Sequence, residues 1–171
     1  DFYWNSPPKN THVGYYNKSE ILNLKEVNDI MYHPLICNVV SKYLGQNFQC
    51  TNVASWWTFG NNDSAEEAEF FHRDLDNISW LKVFIYLTDT DKSSGAHAFV
   101  PGSHRINKYL TFGRYNDDQI NDKIGPFIYV EGAEGTMIIE DTFGFHKGQH
   151  IKDDKNRLIL QLQYSIYNNP Y

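Results

Sequence analysis

Cysteine is nearly missing: Cys37 and Cys50 are the only two in 171 residues. That is too few for a disulfide framework, and both read as reduced core thiols. Positive charge is also short, with 15 Lys and Arg against 21 Asp and Glu for a formal net charge of −6. The two signs are interspersed, so nothing gathers a phosphate backbone or an anionic bilayer, and neither nucleic acid nor membrane is an expected partner. No apolar run approaches the ~20 residues of a membrane span, and no secretory signal is seen. The first residue, Asp1, is not a methionine, so the start reads as processed or trimmed, and the expected location is cytoplasmic. Internal repeats, low-complexity tracts and linkers are absent as well. A single domain over 1–171 is expected, helical over about 1–48 and built of strands over about 49–167.

What the chain has in abundance is aromatic: 12 Tyr and 11 Phe, a composition that suits strands. The opening stretch, DFYWNSPPKNTHVGYYNKSE, is turn-rich and is expected to wrap the surface. EVNDIMYHPLICNVVSKYLGQ is the clearest helical region. There Leu35, Ile36, Val39, Val40, Tyr43 and Leu44 recur at helical spacing, Pro34 suits a first turn and Gly45 a stop.

From Gln49 the period becomes two. SWLKVFIYLTD puts Leu81, Val83, Ile85 and Leu87 on an aliphatic face and Trp80, Lys82, Phe84 and Tyr86 on the other. RLILQLQYSIY divides the same way, with Leu158, Leu160, Leu162 and Tyr164 opposite Arg157, Ile159, Gln161 and Gln163. Further strands are read in CTNVASWWTF, AHAFVPGSH, PFIYVEGAEG and GTMIIEDTFGFH. Residues 105 to about 127 form a polar, aromatic excursion where a lid would sit, and Arg105, Lys108 and Arg114 there hint at an anionic or polar substrate. The expected fold is mainly β, a jelly-roll sandwich or barrel with a few packing helices on one face.

The stretch EFFHRDLD raises the chemical question. His72 and Asp74 lie two apart, so on a strand end both project to one face. Two ligands do not complete a metal site, and the third would come from His12, His33, His97, His104, His146 or His150. Arg157, opposite a leucine stripe, faces either something polar or solvent.

H-R-D, an aliphatic strand ending YLTD, then PGSH, then F-H with an arginine eleven residues on, together resemble the phytanoyl-CoA dioxygenase family over about 50 to 166. These are iron(II)- and 2-oxoglutarate-dependent oxygenases on a double-stranded β-helix, a cupin-like jelly roll. The resemblance implies that His72, Asp74 and His146 ligate Fe(II), and that Arg157 holds the distal carboxylate of 2-oxoglutarate. Two imidazoles and a carboxylate leave three iron positions open for the co-substrate and O2, and a carboxylate is matched bidentately by a guanidinium. The implied reaction converts 2-oxoglutarate to succinate and CO2 while a small-molecule substrate is hydroxylated or otherwise oxidised. Because Asp74 fills the carboxylate position, no halide is expected to be required.

Lys82, opposite the aliphatic stripe, is either a second candidate for the co-substrate inside the barrel or an edge lysine in solvent, and Tyr86 shares its face and that choice. His150, beside KDDKN, reads as an exposed loop residue, while His97 and His104 flank a turn. Trp56, Trp57, Phe70 and Phe71 read as core rather than substrate cage. Two other functions stand beside this one. A non-catalytic jelly-roll binding module, for carbohydrate for example, would need neither the triad nor Arg157. A cupin-type metal enzyme without 2-oxoglutarate would leave Arg157 without a partner.

Overall fold

The structure, a computed structural model, describes residues 6–60, 62–75, 78–107 and 113–167. Twelve residues after its start the chain forms β1 (Val13–Tyr15), then α1 (Lys18–Leu22), α2 (Lys25–Met31) and α3 (Pro34–Leu44). There follow β2 (Gln49–Phe59), β3 (Trp80–Tyr86), β4 (His97–Phe99), α4 (Asp117–Lys123), β5 (Ile128–Val130), β6 (Met137–Glu140), β7 (His146–Gly148) and β8 (Asn156–Ser165). Two antiparallel sheets result, ordered β1-β2-β8-β3-β6 and β5-β4-β7. The architecture is the mainly-β jelly roll expected from the strand pattern.

The two-faced strands set the layers. Leu81, Val83 and Ile85 of β3 join Leu160, Leu162 and Tyr164 of β8 beneath Ile21, Val27, Ile36 and Val40 of the three N-terminal helices. Val83 and Leu162 are wholly buried, each burial worth about 1.5–3 kcal/mol. The alternate residues Phe84, Tyr86 and Ile159 form a separate inner cluster with Ile138. That inner layer ties the sheets together, because the Tyr86 hydroxyl donates to the Val130 carbonyl at 2.8 Å and the Phe84 ring lies 5.1 Å from that of His97.

Helix α3 starts and stops where expected. Pro34 occupies its first turn, the His33 imidazole accepts from the Leu35 amide, and Gly45 ends it at φ 91°. Its apolar periodicity is broader than the face it buries. Ile36 and Val40 are buried, whereas Leu35, Val39 and Tyr43 are exposed, since a helix lying on a sheet covers only a narrow stripe.

Two stretches differ from the sequence reading. The opening segment contributes an edge strand, with Val13 opposite Thr58 and Tyr15 opposite Trp56. The excursion after residue 105 contains α4, closed at its start by a reciprocal Asn116–Gln119 capping box, and Ile120 packs with Phe71, Phe145 and Ala98 of the smaller sheet's β4. Lys108, offered as a lid cation, lies outside the described residues. Among those described, no helix is long and apolar enough to cross a membrane.

Candidate metal centre

His72 and His146 face each other as an antiparallel pair, each amide donating to the other's carbonyl at 3.0 Å. Asp74 continues the pairing, its amide bonded to the Thr142 carbonyl at 2.9 Å. The period of two then sends His72 and Asp74 inward and Arg73 outward. Arg73 is buried on that outer side, donating to the carbonyls of Ser103 and Ile106 and lying over the rings of Phe143 and Phe145. Ser103 also accepts the Phe145 amide at 2.7 Å. The PGSH turn therefore anchors both ligand-bearing segments, and His104 is not in the wall of the cavity.

Each imidazole is oriented by its own backbone neighbourhood. Nδ1 of His72 bonds the Phe70 carbonyl at 2.9 Å, and Nδ1 of His146 bonds the Gly144 carbonyl at 3.0 Å. A carbonyl only accepts, so Nδ1 carries the proton and Nε2 turns a lone pair into the site. His72 Nε2 stands 3.7 Å from Asp74 Oδ1, and His146 Nε2 stands 3.6 Å from Asp74 Oδ2. All three ligand atoms lie within 4.8 Å of one another. First-row ions with bonds of ~2.0–2.2 Å set adjacent ligand atoms roughly 3 Å apart, so a small inward rotation closes the set on one cation.

The protonation states suit that use. Burial, with His146 beside it, lowers the pKa of His72 to about 3. Burial also lowers that of His146, so both rings are neutral near pH 7. Burial alone would raise Asp74, but interaction with His146 and Lys82 outweighs it and holds the carboxyl well below its usual range. Of the two orientations its strand face left open, Lys82 takes the inward one, and its Nζ reaches Asp74 Oδ2 at 2.6 Å.

These residues line a cavity of about 290 Å³ that Arg157 also walls. Arg157 is 5 % exposed, which excludes the surface ion pair that Asp153 or Asp154 might have offered. Its guanidinium donates to the Gly95 carbonyl and to Thr58 Oγ1, while Nε has no partner. No carboxylate pairs with it among the described residues. Gly148 leaves it room, since a Cβ there would sit 3.3 Å from Nη2.

The pair His97 and Glu140 was missed by the sequence reading, which left His97 beside a turn. Its ring stacks on His146 with centroids 5.6 Å apart, and Nε2 meets Glu140 Oε1 at 2.9 Å, both side chains being buried. Burial would raise Glu140, yet His97 holds it below its usual value. Alternation in MIIE, with buried Ile138 and Glu140 on one face, was the available signal.

Other expectations need correction. His150 is no exposed loop residue: it is 9 % exposed and lies beside Glu69. Trp56 walls the cavity as well as packing on the inner core cluster. Phe71 is core, while Phe70 is half-buried and Trp57 bonds the Tyr16 hydroxyl on the far face. The Tyr86 hydroxyl is committed to backbone, donating to Val130 and accepting from the His97 amide at 2.8 Å. Arg105 is exposed, and Arg114 pairs with Glu67 at 3.4 Å.

No curated protein matches the chain in sequence. Several solved structures share its fold. HygX from Streptomyces hygroscopicus, with nickel and 2-oxoglutarate bound, superposes with TM-score 0.70 at 14 % identity, covering 96 % of this chain and 74 % of that one. EctD from S. alaskensis, with 2-oxoglutarate and 5-hydroxyectoine, gives 0.69 at 17 % identity over 90 % of this chain and 56 % of that one. The non-heme α-ketoglutarate-dependent epimerase SnoN from nogalamycin biosynthesis gives 0.65 at 16 % identity over 93 % and 65 %. The chain thus spans about three quarters of HygX and less than two thirds of the other two. The profile of the phytanoyl-CoA dioxygenase (PhyH) family matches residues 8–158. With nearly the whole chain inside that match, and the jelly roll it entails already built, the protein belongs to the phytanoyl-CoA dioxygenase family.

Proposed function

We propose that this protein is an oxygenase of a small-molecule substrate, with His72, Asp74 and His146 ligating iron(II) and Arg157 holding the distal carboxylate of 2-oxoglutarate. The family's cofactors are iron(II), 2-oxoglutarate and O2. One observation carries the residue assignment. A single cavity contains both the His/Asp/His set and a buried guanidinium that forms no ion pair with a carboxylate among the described residues, Glu69 acting on it only from farther away. Burying such a cation is costly, and an anionic ligand in the same cavity offsets the cost.

When bound, iron and co-substrate supply the oxidising chemistry, in which 2-oxoglutarate leaves as succinate and CO2 while one oxygen atom of O2 reaches the substrate. The chain's own residues do the rest. His72 and His146 present neutral Nε2 atoms, their rings held by the Phe70 and Gly144 carbonyls. Asp74 stays ionised and is oriented by Lys82, whose 2.6 Å contact makes the carboxylate its first partner and the co-substrate its second. His97, itself fixed by Glu140, packs on the His146 ring as a positioning residue. Trp56 and Tyr15, with rings 5.6 Å apart, form part of the cavity wall.

Hydroxylation or another oxidation through O2-derived chemistry is the reaction we assign, with no halide transfer, because the carboxylate of Asp74 occupies the position that a halide would need. A small-molecule substrate is supported by the neighbours HygX, solved with hygromycin B, and SnoN, solved with nogalamycin RO. The test is anaerobic addition of iron(II) and then 2-oxoglutarate. A weak visible charge-transfer band that needs both is the expected result. A chain that binds iron without any band, or 2-oxoglutarate equally well without metal, would refute the assignment and favour a cupin-type or binding role.

A further inference from the structure

Among the described residues a second group has metal-ligand chemistry: His12, Glu69 and His150, whose ligand atoms also lie within 4.8 Å of one another. Three separate stretches bring them together. His12 directly precedes β1, Glu69 closes the 3-10 turn Glu67–Glu69, and His150 follows β7. Glu69 and His150 are 7 % and 9 % exposed.

Both histidines turn Nδ1 toward the same carboxylate. His12 Nδ1 is 3.1 Å from Glu69 Oε2, and His150 Nδ1 is 3.1 Å from Glu69 Oε1. Their far nitrogens meet acceptors too: His150 Nε2 is 3.2 Å from the Asn62 carbonyl, and His12 Nε2 is 3.6 Å from Glu66 Oε2. Because a carbonyl only accepts, His150 Nε2 carries the ring proton, and Nδ1 of the neutral ring then sets a lone pair against a carboxylate oxygen. His150 Nδ1 and Glu69 Oε1 are indeed buried, and neither makes a hydrogen bond. Two buried acceptors at that distance repel each other. A cation bonded to both replaces repulsion with two bonds.

We propose that His12, Glu69 and His150 form a second metal site, for zinc or another borderline first-row ion, separate from the one at Asp74. Two imidazoles and a carboxylate are a zinc donor set. Tetrahedral bonds of ~2.0–2.1 Å put neighbouring ligand atoms roughly 3.3 Å apart, close to the 3.1 Å between each Nδ1 and its own Glu69 oxygen. The Asn62 carbonyl on His150 is the kind of outer partner that orients a metal-bound imidazole. Glu69 is itself held, since Oε2 accepts the Glu66 amide at 2.8 Å. The ion ties His12 to the body of the jelly roll. That fixes β1, whose Val13 and Tyr15 belong to the cavity wall.

The test counts zinc on the full chain after equilibration with excess Zn²⁺ and desalting. Two ions per wild-type chain are expected, falling to one in His12→Asn, in Glu69→Gln and in Asp74→Ala. Zinc should also raise the melting temperature of Asp74→Ala by several degrees. A wild-type chain with one ion, which Asp74→Ala releases and His12→Asn retains, overturns the proposal and leaves protons shared within the cluster. One ion that His12→Asn removes and Asp74→Ala keeps supports the second site and refutes the first. His12 is half-buried and lies outside the strands, so His12→Asn keeps the test decisive even where Glu69→Gln does not fold.

Discussion

Replacing Arg157 by alanine separates co-substrate binding from metal binding. The guanidinium is buried, its Nη atoms held by the Gly95 carbonyl and Thr58, with Nε unpartnered and no ion-paired carboxylate among the described residues. A 2-oxoglutarate carboxylate seated there would lose its charge-assisted, bidentate partner while staying in the same cavity. That loss costs about 2–5 kcal/mol, or about 30-fold to a few thousand-fold in affinity at 1.4 kcal/mol per decade. Arg157→Lys keeps the charge but loses the planar fork, so it should fall between alanine and wild type. Calorimetric titration of 2-oxoglutarate into anaerobic, iron-loaded protein measures the effect, with iron affinity titrated separately. Iron affinity should be nearly unchanged, because Arg157 touches none of His72, Asp74 or His146. Co-substrate affinity within twofold of wild type in Arg157→Ala would refute the reasoning.

Three further outcomes follow from the same geometry. Asp74→Gly should abolish succinate formation with or without chloride, since only two protein ligands remain; activity that depends strictly on chloride, or survives the substitution, contradicts the role given to Asp74. His97→Ala leaves the Glu140 carboxylate buried without its partner and should cost about 3–5 kcal/mol in urea unfolding, part of which Glu140→Leu in the same chain restores; independent, additive losses would show the two are not coupled. The third concerns pH. His72 titrates near 6.5 when unfolded and at about 3 when folded, so the unfolded chain binds the extra proton between those values. Its contribution is therefore complete above about pH 6.5 and is lost as pH falls toward 3, at up to about 1.4 kcal/mol per unit. Melting temperatures of metal-free protein should drop across that window, less steeply in His72→Gln.

Much of the fold was legible because strand alternation is local. The faces of β3 and β8 follow from a period of two, and the structure buries Leu81, Val83, Leu160 and Leu162 on the side read as aliphatic. Lys82 and Arg157 point inward for the same reason. His72 and Asp74 were legible as two side chains of one face because that geometry is local, though their use depended on a partner the pair does not name, and Pro34 and Gly45 bound α3 through their own backbone preferences. The narrowness of the buried stripe on α3 was not legible, because exposure depends on what lies opposite.

The sequence by itself determined which side chains share a strand face and which turns end an element, since those follow from the backbone geometry of neighbouring residues. Only the tertiary structure decided which histidine meets which carboxylate. His97 finds Glu140 43 residues away. His150, placed in solvent by its polar neighbours, is instead buried against Glu69 and His12, from two other parts of the chain. Lys82 takes Asp74 as its partner because strand β3 and the loop after His72 converge on one cavity. A side chain's charge partner depends on distance through space, and spacing along the chain carries no measure of that once the strands have folded across one another.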